Sequence, residues 1–288
     1  MKTENELKSI QTRMRTAGYL CDDYCSTVLY LALNLGKPVL VEGPAGVGKT
    51  SIALSFAQAF NYKLVRLQCY EGIDDSKAMY EWNYKKQLLH IQAVANKNLD
   101  VDEVEKQVFS EDFLLPRPLM QVILSEQPSV LLVDEIDKVD MEFEAMLLEL
   151  LAEYQITIPE MGTLSVRNRP VVFLTSNASR ELSEALKRRC LYLHLGFPSP
   201  EIEKLILEMK VPDLHQGLAE QIALALQEFR SLNLKKRPSV GESIDWAMSL
   251  VALGYDELCT NAIRQTLNVI LKYHEDLEKV KDLIEAKA

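Results

Sequence analysis

The sequence predicts a layered α/β core on a five-stranded parallel sheet, followed by an all-helical region. Two observations carry this. Five short β-type runs, at 38–42, 63–68, 130–134, 170–175 and 191–195, are separated by helical patterns, and four of them are nearly unbroken apolar stretches. Continuous apolar runs are what strands buried on both faces of a parallel sheet require. After Phe197-Pro198-Ser199-Pro200, by contrast, no strand pattern returns.

The elements follow in order. The run 38–42 leads into a glycine-rich loop and a helix over 50–60. Over 141–154, Phe143, Met146, Leu147, Leu150, Leu151 and Tyr154 keep a 3.6-residue period, with Asp140 as the N-cap. Ile156–Val166 breaks the alternation: it reads as two short strands around a turn, inserted before the fourth core strand. Beyond the core, Ser199 as N-cap and Pro200 at the first helical position open a helix. Helical period continues over 217–232, 239–250 and 256–285, and Ser239 with Glu242 fits a capping box. The expected domains are 1–198, α/β and nucleotide-binding, and 199–288, a C-terminal helical bundle.

Composition narrows the function classes. Apolar residues make up 48% of 288, enough for a sizeable core and contrary to disorder. A formal net charge of −10 argues against a broad nucleic-acid surface, which needs clustered positive charge. The longest apolar stretch, 28–41, is interrupted by Asn34, Gly36, Lys37 and Pro38 and is too short to span a bilayer. No basic segment followed by an apolar one opens the chain, so the expectation is a soluble cytoplasmic protein. The five cysteines, Cys21, Cys25, Cys69, Cys190 and Cys259, read as reduced thiols, mostly buried, and their spacing does not fit a metal site.

Gly43-Pro44-Ala45-Gly46-Val47-Gly48-Lys49-Thr50 matches G-x-x-x-x-G-K-[ST] between an apolar strand and a helix. In that setting the backbone N–H groups cradle phosphate oxygens, Lys49 brings a charge to the outer phosphates, and the Thr50 hydroxyl reaches Mg²⁺. Ser51, next in the chain, counts with this nucleotide-binding set. Val130-Leu131-Leu132-Val133 delivers Asp134 to the end of a buried strand as a metal-holding carboxylate, with Glu135 placed to polarise the attacking water. The Asp-Glu pair, with no Asn-Lys-x-Asp guanine-reading motif, favours ATP hydrolysis. Asn177 ends the next strand, either as a turn former or as a contact to the γ-phosphate or the water. Lys187-Arg188-Arg189, a basic cluster with no acidic partner adjacent, has two readings: a solvated helix end, or an arginine finger for a neighbouring subunit's nucleotide.

With these residues in this order, nearly the whole chain resembles the AAA+ ATPases. In that resemblance Asn177 takes the sensor 1 place, Arg189 the finger with Arg188 as second candidate, and the C-terminal helices form a lid. The hairpin looks like the pre-sensor insertion of one AAA+ branch, and Glu153-Tyr154-Gln155-Ile156-Thr157-Ile158-Pro159-Glu160 is similar to the MoxR family. Four further strings resemble its CoxD-type branch: Cys69 to Asp74, Tyr80 to Tyr84, Leu182 to Cys190, and Pro238-Ser239-Val240. The resemblance implies a ring, usually a hexamer, that hydrolyses ATP with Mg²⁺ and does chaperone-like work. It also implies a partner with a von Willebrand A domain and, in the CoxD-type branch, a molybdenum enzyme as client. Gly18-Tyr19-Leu20 occupies the place where such proteins pack the adenine; ordinary core packing is the other reading. Many AAA+ lids carry an Arg in the turn that here reads Ser239-Val240-Gly241-Glu242, so Lys236 and Arg237 are either substitutes for it or a solvated basic run.

Overall fold

The computed structural model describes residues 2–95 and 100–285; Met1 and 286–288, the outer ends of the two expected domains, lie outside the described residues. The chain begins with α1 (Lys2–Thr16) and α2 (Asp23–Leu35), then β1 (Val39–Glu42), α3 (Lys49–Phe60) and β2 (Lys63–Gln68). Next come α4 (Asp75–Ala78), β3 (Tyr80–Trp82), α5 (Tyr84–Val94), α6 (Val101–Val108), β4 (Leu114–Pro116) and α7 (Pro118–Ile123). The core resumes with β5 (Ser129–Asp134), α8 (Met141–Glu153), β6 (Gln155–Ile158), β7 (Gly162–Ser165), β8 (Val171–Ser176), α9 (Glu184–Arg189) and β9 (Leu191–His194). Five helices follow: α10 (Pro200–Lys210), α11 (Gln216–Ser231), α12 (Val240–Ala252), α13 (Thr260–Ile270) and α14 (His274–Glu285).

The five expected core strands form one parallel sheet in the order β2-β5-β8-β1-β9. Its strands alternate between two cores with a period of two. Val130 and Leu132 of β5, Val39 and Val41 of β1, and Phe173 of β8 pack under α1, α2 and α3. Leu131, Val133, Leu40, Val172 and Leu174 face the opposite side, against α7, α8 and the β6–β7 hairpin. Both faces are therefore covered, which is why these segments read as unbroken apolar runs. A third core, from Leu207 to Ile284, is made by the C-terminal helices alone.

The antiparallel β6–β7 hairpin stands where the sequence placed it. Tyr154 ends α8 in the left-handed region, at φ 52°, and its carbonyl accepts from Val166 N at 2.8 Å, which turns the chain into the hairpin. The caps at Asp140, Ser199 and Ser239 form, with both halves of the Ser239–Glu242 box present.

Three expectations need correction. The helical period over 256–285 is not one helix. The chain first enters a helix at Thr260, where Cys259 caps it, and breaks between Ile270 and His274. Leu271 turns extended and buries its side chain, and Asp276 in α14 accepts the backbone N–H groups of Lys235 and Lys236 at 2.9 and 3.2 Å. Lys187 does have acidic partners, Glu181 at 3.2 Å and Glu184 at 3.7 Å. Of the cysteines, Cys25 and Cys69 are buried, Cys21 and Cys190 half-buried, and Cys259 exposed; all five are free thiols.

Candidate nucleotide site

The glycine loop lies between the end of β1 and the start of α3, at the carboxyl edge of the sheet, where parallel α/β folds hold ligands. Two of its glycines are required by close approach. A Cβ on Gly43 would lie 2.0 Å from the Leu195 carbonyl oxygen, and one on Gly46, at φ +76°, would lie 2.3 Å from Ser239 Cβ. Gly46 is thus pressed against the first turn of the C-terminal helix α12, and its carbonyl accepts from Val240 N at 3.1 Å.

Lys49 is 7% exposed and its ammonium is fully satisfied. It donates to the Gly43 and Pro44 carbonyls, each at 2.7 Å, and to Asn177 Oδ1 at 2.8 Å. Burial lowers its pKa, opposed by the carboxylates of Asp137, Asp134, Glu135 and Glu42. The structure thus brings Asn177, one residue past β8, directly onto the loop lysine.

Asp134, 3% exposed, collects donors from three elements. Thr50 Oγ1 reaches its two oxygens at 3.0 and 3.2 Å, and Thr175 Oγ1 donates to Oδ1 at 2.5 Å. Arg66 Nη2, from β2, lies 2.5 Å from Oδ2. The strand order explains this: β2 and β8 flank β5, with Gln68 in register with Asp134 and Val133 with Leu174. Neither Thr175 nor Arg66 was singled out from the sequence for this role, because pairing between strands is not written in local spacing.

Glu135 follows in the left-handed region at φ 59°, its N–H donating to Thr175 Oγ1 at 2.9 Å. That conformation is unfavourable for a side chain with a Cβ and is concentrated at functional sites. Asp137, 3% exposed, accepts from Ser179 N at 3.0 Å and Ser179 Oγ at 2.6 Å, while its Oδ1 is buried without a hydrogen-bond partner among the described residues. Burial raises the Asp137 pKa, but the Ser179 donors together with the backbone N–H groups of Asn177 and Asp137 outweigh it, and the net direction is down.

Beside the loop lies a cavity of about 710 Å³. Tyr19 and Leu20 line it together with Val47, Gly48, Ser51 and, from the C-terminal helices, Ile202. An apolar slot next to the glycine loop suits a flat base attached to a phosphate chain. The donor set at Asp134 and Thr50 is all oxygen, which suits a hard cation such as Mg²⁺. The residues present therefore fit a nucleotide and its metal.

Arg188 and Arg189 close α9 and are exposed; among the described residues neither has an ion-pair or hydrogen-bond partner. Lys236 is held by Glu242 at 2.6 Å, whereas Arg237 is exposed and unpaired among the described residues.

Sequence reasoning also missed a buried ion pair behind the cavity. Arg230 on α11 grips Glu203 on α10 with two bonds, at 2.5 and 2.7 Å, and donates to the Pro238 carbonyl at 2.8 Å. Ser243 on α12 donates to Glu203 at 2.6 Å, and the guanidinium lies 4.7 Å from the Phe197 ring, another wall of the cavity.

Comparison with known proteins gives three results. A family model described as "AAA domain (dynein-related subfamily)" matches residues 38–190, more than half of the chain. The gas vesicle ATPase GvpN of Haloferax mediterranei is 23% identical over 272 residues, covering 88% of this chain and 74% of that protein. Two variants of Thermotoga maritima RuvB share the fold at TM-scores of 0.51 and 0.52, with 18% and 16% identity. They cover 85% and 94% of this chain, which spans 66% and 72% of those structures. No described helix is long and apolar enough to cross a membrane.

Proposed function

The chain belongs to the dynein-related subfamily of AAA domains and is an ATPase, and from that premise we propose that it couples Mg²⁺-dependent ATP hydrolysis to chaperone-like remodelling of a protein client. The observation that carries the hydrolytic part is the convergence of Lys49, Thr50, Asp134 and Asn177 at one end of the sheet. In this reading the loop amides and Lys49 hold the phosphates. Tyr19 and Leu20 pack the base, and Ser51 lies at the junction of the two. Thr50 and Asp134 hold Mg²⁺, which supplies charge neutralisation on the outer phosphates. Glu135 accepts a proton from the attacking water, and Asn177 orients that water or the γ-phosphate.

Residues 199–288 act as the lid on the α/β domain of 1–198, and Gly46 against Ser239 is the contact through which loop and lid feel each other. Arg237 is the better sensor 2 candidate, since Lys236 is committed to Glu242. Arg189, with Arg188 beside it, completes the site of a neighbouring subunit in a hexameric ring; an exposed arginine without a partner among the described residues suits that role. The client reading rests on the similarity of the hairpin and of the four strings to the MoxR family and its CoxD-type branch. It assigns a metalloenzyme client, a molybdenum enzyme in that branch, a partner with a von Willebrand A domain, and a cytoplasmic setting. A nucleic-acid motor is disfavoured by the net charge of −10.

The test mixes two inactive variants. Arg189→Ala and Lys49→Ala subunits, each without turnover alone, should together recover a fraction of wild-type phosphate release. Absence of recovery in mixed rings of normal size overturns the shared-site reading.

A further inference from the structure

A groove of about 820 Å³ opens between the β3–β4 ribbon and the β6–β7 hairpin, and it shares no residue with the nucleotide cavity. Tyr80, Glu81 and Trp82 of β3 all line it, and so do Gln155, Ile156 and Thr157 of β6. Side chains along a strand alternate between faces, so three consecutive residues line one groove only when the strand's edge is turned toward it.

The ladders identify the groups on those edges. Arg117 N donates to the Met79 carbonyl at 3.0 Å and Asn83 N to the Phe113 carbonyl at 2.8 Å. In an antiparallel pair every second residue bonds across, so Glu81 bonds to β4, and the main-chain groups of Tyr80 and Trp82 point away from it. Val166 N to the Tyr154 carbonyl fixes the phase of β6 in the same way: Ile156 and Ile158 bond to β7, and Gln155 and Thr157 point away. Both sheets are two-stranded, so these edges pair with no other described strand. An unpaired edge is a template for an added strand.

Charge and shape select the occupant. Glu81, Glu149 and Glu160 line the groove, and among the described residues no lysine or arginine does. Glu81 is partly neutralised by Arg117 at 2.9 Å, but Glu149 and Glu160 are exposed and without an ion-pair partner among the described residues. Met79, Met146 and the Tyr80–Trp82 pair, edge to face at 6.0 Å, give the floor an adaptable apolar surface.

We propose that this groove captures an extended, positively charged segment of a partner polypeptide, adding it as a strand between the edges of β3 and β6. The proposal deepens the reading of a protein client and rests on it for its biological setting.

The test uses the full chain and a fluorescein-labelled ten-residue peptide of alternating lysine and valine, with a glutamate–valine peptide as control, read by anisotropy. The lysine peptide should bind at least roughly tenfold tighter than the control, and Glu149→Lys/Glu160→Lys should weaken it by roughly tenfold. Thr157→Pro removes an outward N–H while sparing the β7 ladder. It should weaken binding several-fold more than Thr157→Ala, with peptide-free ATP turnover unchanged in all variants. Equal affinity for the two peptides, wild-type affinity after charge reversal, or equal effects of Thr157→Pro and Thr157→Ala overturns the proposal. So does a change in oligomeric size on charge reversal, which assigns the groove to a second copy of the chain. Peptide binding without ATP turnover sinks the ATP-driven client reading and leaves the groove; turnover without peptide binding does the reverse.

Discussion

Replacing Glu203 with alanine should destabilise the C-terminal helical bundle by about 3–5 kcal/mol, because it leaves the Arg230 charge buried and alone. The size follows from the geometry. The Glu203 and Arg230 side chains are 1% and 7% exposed, and the guanidinium donates to Pro238 and Ser243 and packs on the Phe197 ring. Replacing both partners, as in Glu203→Leu/Arg230→Met, removes charge and countercharge together and should recover most of the loss. The chain has two tryptophans, and Trp246 lies fully buried in this bundle, so its fluorescence in a Trp82→Phe background reports the bundle's own unfolding. With a urea m-value near 2 kcal/mol/M, the Glu203→Ala midpoint should fall by about 2 M. A fall below about 0.5 M, or a double variant as damaged as the single one, refutes the view that this pair ties α10, α11 and α12 together.

Two other perturbations read the site and its lid. Arg66 competes for the carboxylate assigned to Mg²⁺, so Arg66→Gln should lower the Mg²⁺ concentration needed for half-maximal nucleotide binding. The gain is worth about 1 kcal/mol or less because the guanidinium is half exposed; a requirement for more Mg²⁺ contradicts the competition. Burial raises the Glu242 pKa, but Lys236 and the Ser239 donors outweigh it, leaving it below the usual 4.5. A depressed pKa means stabilisation that is present above the unfolded value and lost as pH falls through the folded one. Glu242→Gln should therefore flatten the acid side of the bundle's stability profile below about pH 4.5, and a profile unchanged from wild type in urea titrations speaks against the assignment.

What could be read from the chain was what is contiguous in it. The glycine loop, the Asp134–Glu135 pair, the Ser239–Glu242 box and the hairpin each occupy a short window whose spacing has a physical meaning. The core strands were legible because burial on both faces makes them unbroken apolar runs. The contacts of Arg66 and Thr175 with Asp134 depend on β2 and β8 flanking β5, and strand order leaves no local trace. Glu203, Arg230 and Ser243 come from three helices and carry no spacing signature. The β3–β4 ribbon was missed because three-residue strands are too short to show alternation. Helix α5 buries Gln87 while Tyr84, Leu88 and Leu89 stay exposed, so its amphipathic pattern runs opposite to a core helix. The break before α14 was hidden because helical period continues on both sides of it.

The central claim, that this site binds ATP and cuts it with Glu135 as the base, is tested most directly by Glu135→Gln. The exchange preserves size and removes only the proton-accepting charge. Binding of a fluorescent ATP analogue should stay within about twofold of wild type, while phosphate release falls by at least roughly 100-fold. Turnover close to the wild-type rate, with binding intact, contradicts the account.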